Sequence, residues 1–450
     1  MFDLVVRGDL VTPRAVLRGH YLSVVDGKVA AITAQDPGAA RERIDAEGAY
    51  VFPGAVDAQV HSRSQKGSEG LAACTRAAAA GGVTTIVEMP YDEGLLVCSA
   101  DAVRSKAADA EREAHVDVAL YGTVRPEDGT SRIAEQIEAG VCGFKFSTFG
   151  TDPVRFPRIP PWLLRDAFAA IAPSGLAAGV HNENHETVMH DLEAVKAAGV
   201  TDYTAHGRSH TDFAEALAMA EIYETGAHTG CRAHVVHCSF GRGIEICQSY
   251  RRQGFDASVE VCIHYLVFSE DEDVARLGGK AKINPPIRPS KEREALWRHL
   301  AAGNIDIVST DHVAWSLDRK NDPNMLKNAS GGPSIEVMVP VLVKACLERG
   351  VDLSMAARLL SANPARHFRL PPLKGALAAG AEADFSIIDP AEARWSVDRS
   401  QTVSDWSLYD GMSLPQVRAT YLRGRQVWDG RDVVVAEGFG GFVKPFGRAL

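Results

Sequence analysis

The sequence predicts an α/β protein: a (β/α)8 TIM barrel joined to a small β-sandwich domain made from the two ends of the chain. Two observations carry that prediction. In the middle of the chain, apolar and β-branched runs alternate with helical stretches, the pattern of repeated βα units. At both ends the runs are instead short and broken by Gly and Asp, as in hairpins. The 450 residues are too many for one ordinary domain and suit a large barrel with a companion.

The first strand-like runs are Asp3 to Arg7, His20 to Val25, Lys28 to Ile32 and Ala49-Tyr50-Val51. Eight barrel strands follow: Ala55 to His61, Val83 to Met89, Val116 to Tyr121, Gly143 to Ser147, Leu176 to His181, Ala233 to His237, Ser258 to His264 and Ile305 to Thr310. Helices are expected between them, among them Gly70 to Ala80, Ala100 to Ala114 and Phe213 to Thr225. Near the end, Phe385 to Ile388, Val417 to Leu422 and Gln426-Val427-Trp428 return to the hairpin texture. The expected division is residues 1–52 with 369–450 for the sandwich and 53–368 for the barrel. An open doubly wound sheet fits less well, because such sheets usually have fewer strands. The Gly-rich tail, Gly438 to Leu450, is expected to pack on something, a neighbouring subunit being one option.

Composition narrows the function. A net charge of −10 argues against a nucleic-acid partner. No apolar run approaches the roughly 20 residues that span a bilayer, and Met1-Phe2-Asp3-Leu4 does not begin a secretory signal. The eight cysteines form no CxxC pair and read as reduced, buried thiols of a cytoplasmic protein.

Chemistry enters where polar residues fall on the strands. His61 ends the first, Lys145 lies in the fourth, His181 ends the fifth, His237 ends the sixth and Asp311 ends the eighth. Strand C-termini of a barrel converge on one face, which holds the active site. A lone His at a strand end is usually structural, and Asp311 alone could cap a helix. Lys145 is harder to set aside: lysine inside an apolar strand is almost never buried without a partner. Burial favours its neutral amine, which reacts with carbon dioxide to give a carbamate able to bridge two cations. Imidazole and carboxylate suit zinc, and also manganese or iron. Such ions generate hydroxide and polarise a carbonyl, and Asp311 could carry the proton from that hydroxide to a leaving nitrogen.

These residues sit in motifs that resemble the cyclic-amide branch of the amidohydrolase superfamily, which holds dihydropyrimidinases, hydantoinases, allantoinases and, more distantly, dihydroorotases. The resemblance runs nearly end to end. It covers Phe52-Pro-Gly-Ala-Val-Asp-Ala-Gln-Val-His61, Thr75 to Pro90, Gly143-Phe144-Lys145, Val180-His181-Asn182-Glu183-Asn184 and Val235-Val236-His237-Cys238-Ser239. It continues through Glu260 to Leu266, Asn284-Pro285-Pro286-Ile287-Arg288, Ser309-Thr310-Asp311-His312, Asn363-Pro364-Ala365 and Gly375 to Asp384. The resemblance implies a hydrolase that opens a small cyclic amide or ureide by attack of a metal-bound hydroxide. One or two divalent ions, zinc first, are implied, with N6-carboxylysine at Lys145. One ion would be held by the first-strand pair, Lys145 and Asp311, the other by Lys145, His181 and His237. Asp311 would be the proton shuttle, and Asn284, Pro333 and His264 would meet the substrate. A homodimer or homotetramer is usual in this group.

Two departures stand out. The first strand normally carries His-x-His, and here Gln59 replaces the first His. Glutamine is a weak neutral ligand or a donor behind the ligands. This leaves open one metal rather than two, or a metal-poor, non-catalytic binding or scaffold protein on the same fold. The stretch after Lys145, Phe146-Ser147-Thr148-Phe149-Gly150, lacks the Tyr of hydantoinases and leans toward an allantoinase-like enzyme. A one-metal deaminase-like hydrolase is disfavoured by Lys145. The loop from Thr151 to Pro161 reads equally as a lid or as a solvated connector.

Overall fold

The computed structural model describes all residues except Lys66, Ser68, Thr151, Pro153, 371–373 and 448–450. An eight-stranded parallel sheet dominates it. Its strands are Ala55–Val60, Val83–Glu88, Asp117–Gly122, Gly143–Ser147, Ala177–His181, Arg232–Val235, Ala257–Cys262 and Ile307–Ser309. Most lie within one or two residues of the predicted runs. The first, second, fourth and seventh are buried along their full length, which is why they read as unbroken apolar runs rather than alternating ones. The barrel closes between its first and eighth strands, where the His61 amide donates to the His312 carbonyl at 2.9 Å. Helices Gly70–Ala80, Ala100–Glu113 and Asp212–Thr229 cover the outside where expected. Ser99 and Thr211 start the second and third by accepting from Ala102 and Ala214 amides.

The terminal segments form one seven-stranded mixed sheet. Its spatial order is Arg425–Trp428, Ser413–Leu422, Phe385–Arg394, Ala40–Pro53, Phe2–Val11, Val16–Val25 and Lys28–Thr33. The long strand Ala40–Pro53 joins the two chain ends, running parallel to Phe2–Val11 and antiparallel to Phe385–Arg394. Leu4, Val6, Leu22, Val24, Phe385 and Tyr421 form its own buried cluster.

Two expectations need correcting. The seventh strand stops at Cys262, and His264 lies in a short helix, Ile263–Val267, rather than at a strand end. The sixth strand stops at Val235, and His237 follows it in a left-handed conformation. The tail packs on its own barrel: the Val118 amide donates to the Gly441 carbonyl at 2.9 Å, and the Val443 amide donates to the Val118 carbonyl at 2.8 Å. Glycine is required there, because a Cβ at Gly440 would collide with the Val116 carbonyl. All eight cysteines are free and buried, as expected. Among the described residues, no helix is long and apolar enough to cross a membrane.

Candidate active site

At the C-terminal mouth of the barrel a cavity of about 360 Å³ is lined by Gln59, His61, Lys145, His181, His237 and Asp311 together. These residues come from five separate stretches of the chain, Gln59 and His61 sharing one, that barrel closure brings to one place. His237 and Asp311 both have positive φ, 41° and 51°. Such values are uncommon for residues with a Cβ and cluster where a side chain must be aimed against local preference.

One side of the cluster is built for ligation. His181 Nδ1 and His237 Nε2 lie 2.9 Å apart, with no acid between them. The other ring nitrogen of His181, Nε2, is 2.7 Å from Glu183, whose second oxygen is 2.7 Å from His210 Nδ1. A carboxylate behind an imidazole fixes its tautomer and turns the remaining lone pair toward the cavity. Burial would raise the Glu183 pKa, but the positive potentials and hydrogen bonds of His210 and His181 hold it well below the usual carboxylate range. His237 Nδ1 is buried without a partner, and burial drives this imidazole strongly toward its neutral form.

Lys145 sits at the centre. Its side chain is buried and donates only to the Phe146 carbonyl, at 3.1 Å. Burial lowers its pKa to about 8, against the pull of Asp311 and Glu260. Its backbone carbonyl is pinned by the Thr123 hydroxyl at 2.7 Å and the Tyr91 hydroxyl at 3.1 Å.

The other side is internally bonded. Gln59 Nε2 donates to Asp311 Oδ1 at 2.7 Å, and His61 Nε2 lies 3.3 Å from the same oxygen. Gln59 Oε1 is left buried and unpartnered. The Ser64 hydroxyl lies 2.7 Å from His61 Nδ1. Burial opposes the Asp311 charge, yet the hydrogen bond from His61 and the positive potentials of His61, His237 and His264 hold its pKa well below the usual range. Asp311 caps no helix, since the next helical turn begins at Leu317.

The donor set fits divalent ions. It offers imidazole nitrogens, a carboxylate and an unpartnered amide oxygen, all at one cavity. Two other acid-rich clusters do not. Asp117, Glu382 and Asp384 surround the Lys374 ammonium, and Glu69 is taken by His312 at 2.8 Å.

The proposed substrate contacts separate in space. Asn284 lines the cavity, its Oδ1 accepting from Ser330 Oγ at 3.0 Å. His264 is buried with Nε2 unpartnered and is not among the cavity-lining residues. Pro333 borders a small cleft beside His312, outside the main cavity. From the predicted Thr151 to Pro161 loop, Arg155 and Phe156 reach the cavity wall, and Arg155 donates to the Ser64 carbonyl; Thr151 and Pro153 lie outside the described residues.

The structure adds residues that the sequence reading passed over. Glu183 and His210 back His181. Lys320, fully buried, donates to the carbonyls of Lys282, Ala329 and Gly331 at 2.7–2.8 Å, tying together two segments of the cavity wall. A carboxylate two residues after a strand-end His was a readable signal for Glu183. Nothing in the local sequence marks His210 or Lys320.

Comparison with known proteins agrees with this geometry. Residues 50–427 match the amidohydrolase family. The chain is 36% identical to an allantoinase of Rubrobacter xylanophilus, over 99% of this chain and 98% of the relative. It is 32% identical to an L-hydantoinase of Paenarthrobacter aurescens, over 98% of each. The solved L-hydantoinase of Arthrobacter aurescens superposes with a TM-score of 0.94 at 30% identity, covering 99% of this chain and 100% of that one.

Proposed function

The chain belongs to the amidohydrolase family, and on that premise we propose that it is a metal-dependent hydrolase opening a small cyclic amide or ureide, as its allantoinase and hydantoinase relatives are named for doing. The observation that carries this is the convergence of Gln59, His61, Lys145, His181, His237 and Asp311 on one cavity. Lys145, as its carbamate, with His181 and His237 would hold one divalent ion, zinc first among the metals that suit such ligands. His61, Asp311 and the same carbamate would hold a second, with Gln59 Oε1 as a weak ligand. Bound ions would supply Lewis acidity, polarising the ring carbonyl and acidifying water.

The chain's own residues then divide the work. The buried Lys145 amine, without a carboxylate partner among the described residues, is poised to form the carbamate. Glu183 and His210 keep His181 facing the cavity. Asp311, kept ionised by its neighbours, accepts the proton of the attacking water and returns it to the ring nitrogen as the amide C–N bond breaks. Gln59 holds the Asp311 carboxylate in place for both transfers. Asn284 stands on the cavity wall to meet the amide edge of the ring.

The test is a metal-reconstituted screen against allantoin, hydantoin and dihydrouracil, with metal content measured on the same sample. Ring opening with bound metal is the expected result. Less than about half an equivalent of metal with no hydrolysis would point instead to the metal-poor binding protein that Gln59 raises.

A further inference from the structure

We propose that the preferred substrate is a cyclic amide carrying a carboxylate substituent, and that Arg319, laid over Trp315 at the cavity mouth, receives that carboxylate. This rests on the cyclic-amide reading and specifies its substrate class.

The charge bookkeeping of the cavity wall points this way. Outside the catalytic cluster its charged residues are Asp152, Arg155, Lys282 and Arg319. Asp152 and Arg155 neutralise each other at 3.3 Å. Lys282 is committed to the carbonyls of Leu326 and Asn328, each at 2.7 Å. Arg63, two residues beyond His61, is spent on Asp109 and Glu113 and does not line the cavity. Among the described residues neither Lys282 nor Arg319 has a carboxylate within ion-pair distance, and of the two only the Arg319 guanidinium is not already committed to backbone carbonyls. The wall is therefore cationic on a protein whose net charge is −10.

Arg319 is also held in place. Its guanidinium lies 5.2 Å from the centre of the Trp315 ring. That ring is fixed by its Nε1 donating to the Ser330 carbonyl at 2.8 Å, and the Trp315 carbonyl accepts from Trp406 Nε1 at 2.7 Å. The Ala329 amide donates to the Arg319 carbonyl at 2.9 Å. A guanidinium stacked on a fixed ring still presents its N–H edge, the geometry that meets a carboxylate with two parallel hydrogen bonds. Arg319 and the catalytic cluster line one cavity, so a ring seated at the cluster shares that cavity with this edge.

The experiment compares two hydantoins that differ only at the arm, 5-carboxymethyl and 5-carbamoylmethyl, in the wild type, Arg319→Gln and Arg319→Lys, with unsubstituted hydantoin as the reference. The expected result is a kcat/KM for the acid at least about tenfold above that for the amide, falling toward parity in Arg319→Gln and partly restored in Arg319→Lys. Raised salt should narrow the gap. An amide turned over as well as the acid, or an Arg319→Gln variant that slows both equally, overturns the proposal. If no ring is opened, including the reference, the cyclic-amide reading itself has failed. Calorimetric binding of the same acid and amide then still decides whether Arg319 selects the carboxylate.

Discussion

The barrel gathers charged side chains at both of its ends and treats them in opposite ways. At the base, Lys374 lies 2.6 Å from Asp117, 2.6 Å from Glu382 and 2.7 Å from Asp384, with Arg423 adding a 2.8 Å contact to Asp117. Burial opposes the Lys374 charge, but three carboxylates hold its pKa above the usual lysine range. The cluster stitches the third barrel strand to the terminal sheet, and its charges are spent on each other. At the mouth, among the described residues, Lys145 has no acid partner, His237 Nδ1 and Gln59 Oε1 are orphaned, and two imidazole nitrogens face each other. A buried polar atom without a partner costs about 1–3 kcal/mol, so a cluster that keeps several is set up for something it will bind. The difference teaches which charged knot is structural and which is chemical, although both are buried and both are rich in acids and bases.

Substitution should separate the two ends. His237→Ala is expected to lower kcat/KM by on the order of 10³ or more, and to deplete bound metal, while thermal stability stays near wild type. Lys374→Met should do the reverse. It leaves Glu382 and Asp384 uncompensated and should cost about 3–5 kcal/mol of stability in denaturant titrations, with the folded fraction retaining its turnover. If the two variants gave the same phenotype, the contrast between mouth and base would collapse.

Asp311→Asn tests the proton path. The expected loss is about 10³ in kcat with a smaller change in KM. A variant that loses KM alone would make Asp311 a binding group rather than a shuttle.

Gln59→His sharpens the contrast within the mouth. It replaces a donor to Asp311 with a second imidazole on the first strand. We expect the second ion to bind roughly tenfold tighter, read by competition with a chelator. No change in stoichiometry or affinity would show that Gln59 serves only to position Asp311.

The smallest effect concerns Lys282. Burial lowers its pKa from 10.5 to about 8, so it is a cation below pH 8 and neutral above. KM for a carboxylate-bearing ring should therefore rise a few-fold between about pH 7 and pH 9, and the step should vanish in Lys282→Met. A flat profile would remove Lys282 from the cationic wall.

Much of this was readable in the sequence. The barrel strands announced themselves because burial on both faces leaves unbroken apolar runs, and the six residues of the cluster stood in them or just past their ends. The positions of His237 and Asp311 were legible, but their left-handed backbones were not, since neither residue is a glycine. His264 was misplaced on a strand because Val261, Cys262 and Ile263 continue the apolar run into the helical turn. His210 and Lys320 act through partners distant in the chain, Glu183 and Lys282, contacts that local pattern does not encode. The base cluster was invisible for the same reason: Asp117, Lys374 and Arg423 meet only once the sheet has folded onto the barrel.

The most direct check is metal content and ring opening measured on the same preparation, wild type beside His237→Ala. The account predicts at least one divalent ion per chain and hydrolysis of a cyclic amide in the wild type, both lost in the variant. A His237→Ala protein that keeps its metal and its activity would contradict it, as would a metal-free wild type that opens the ring.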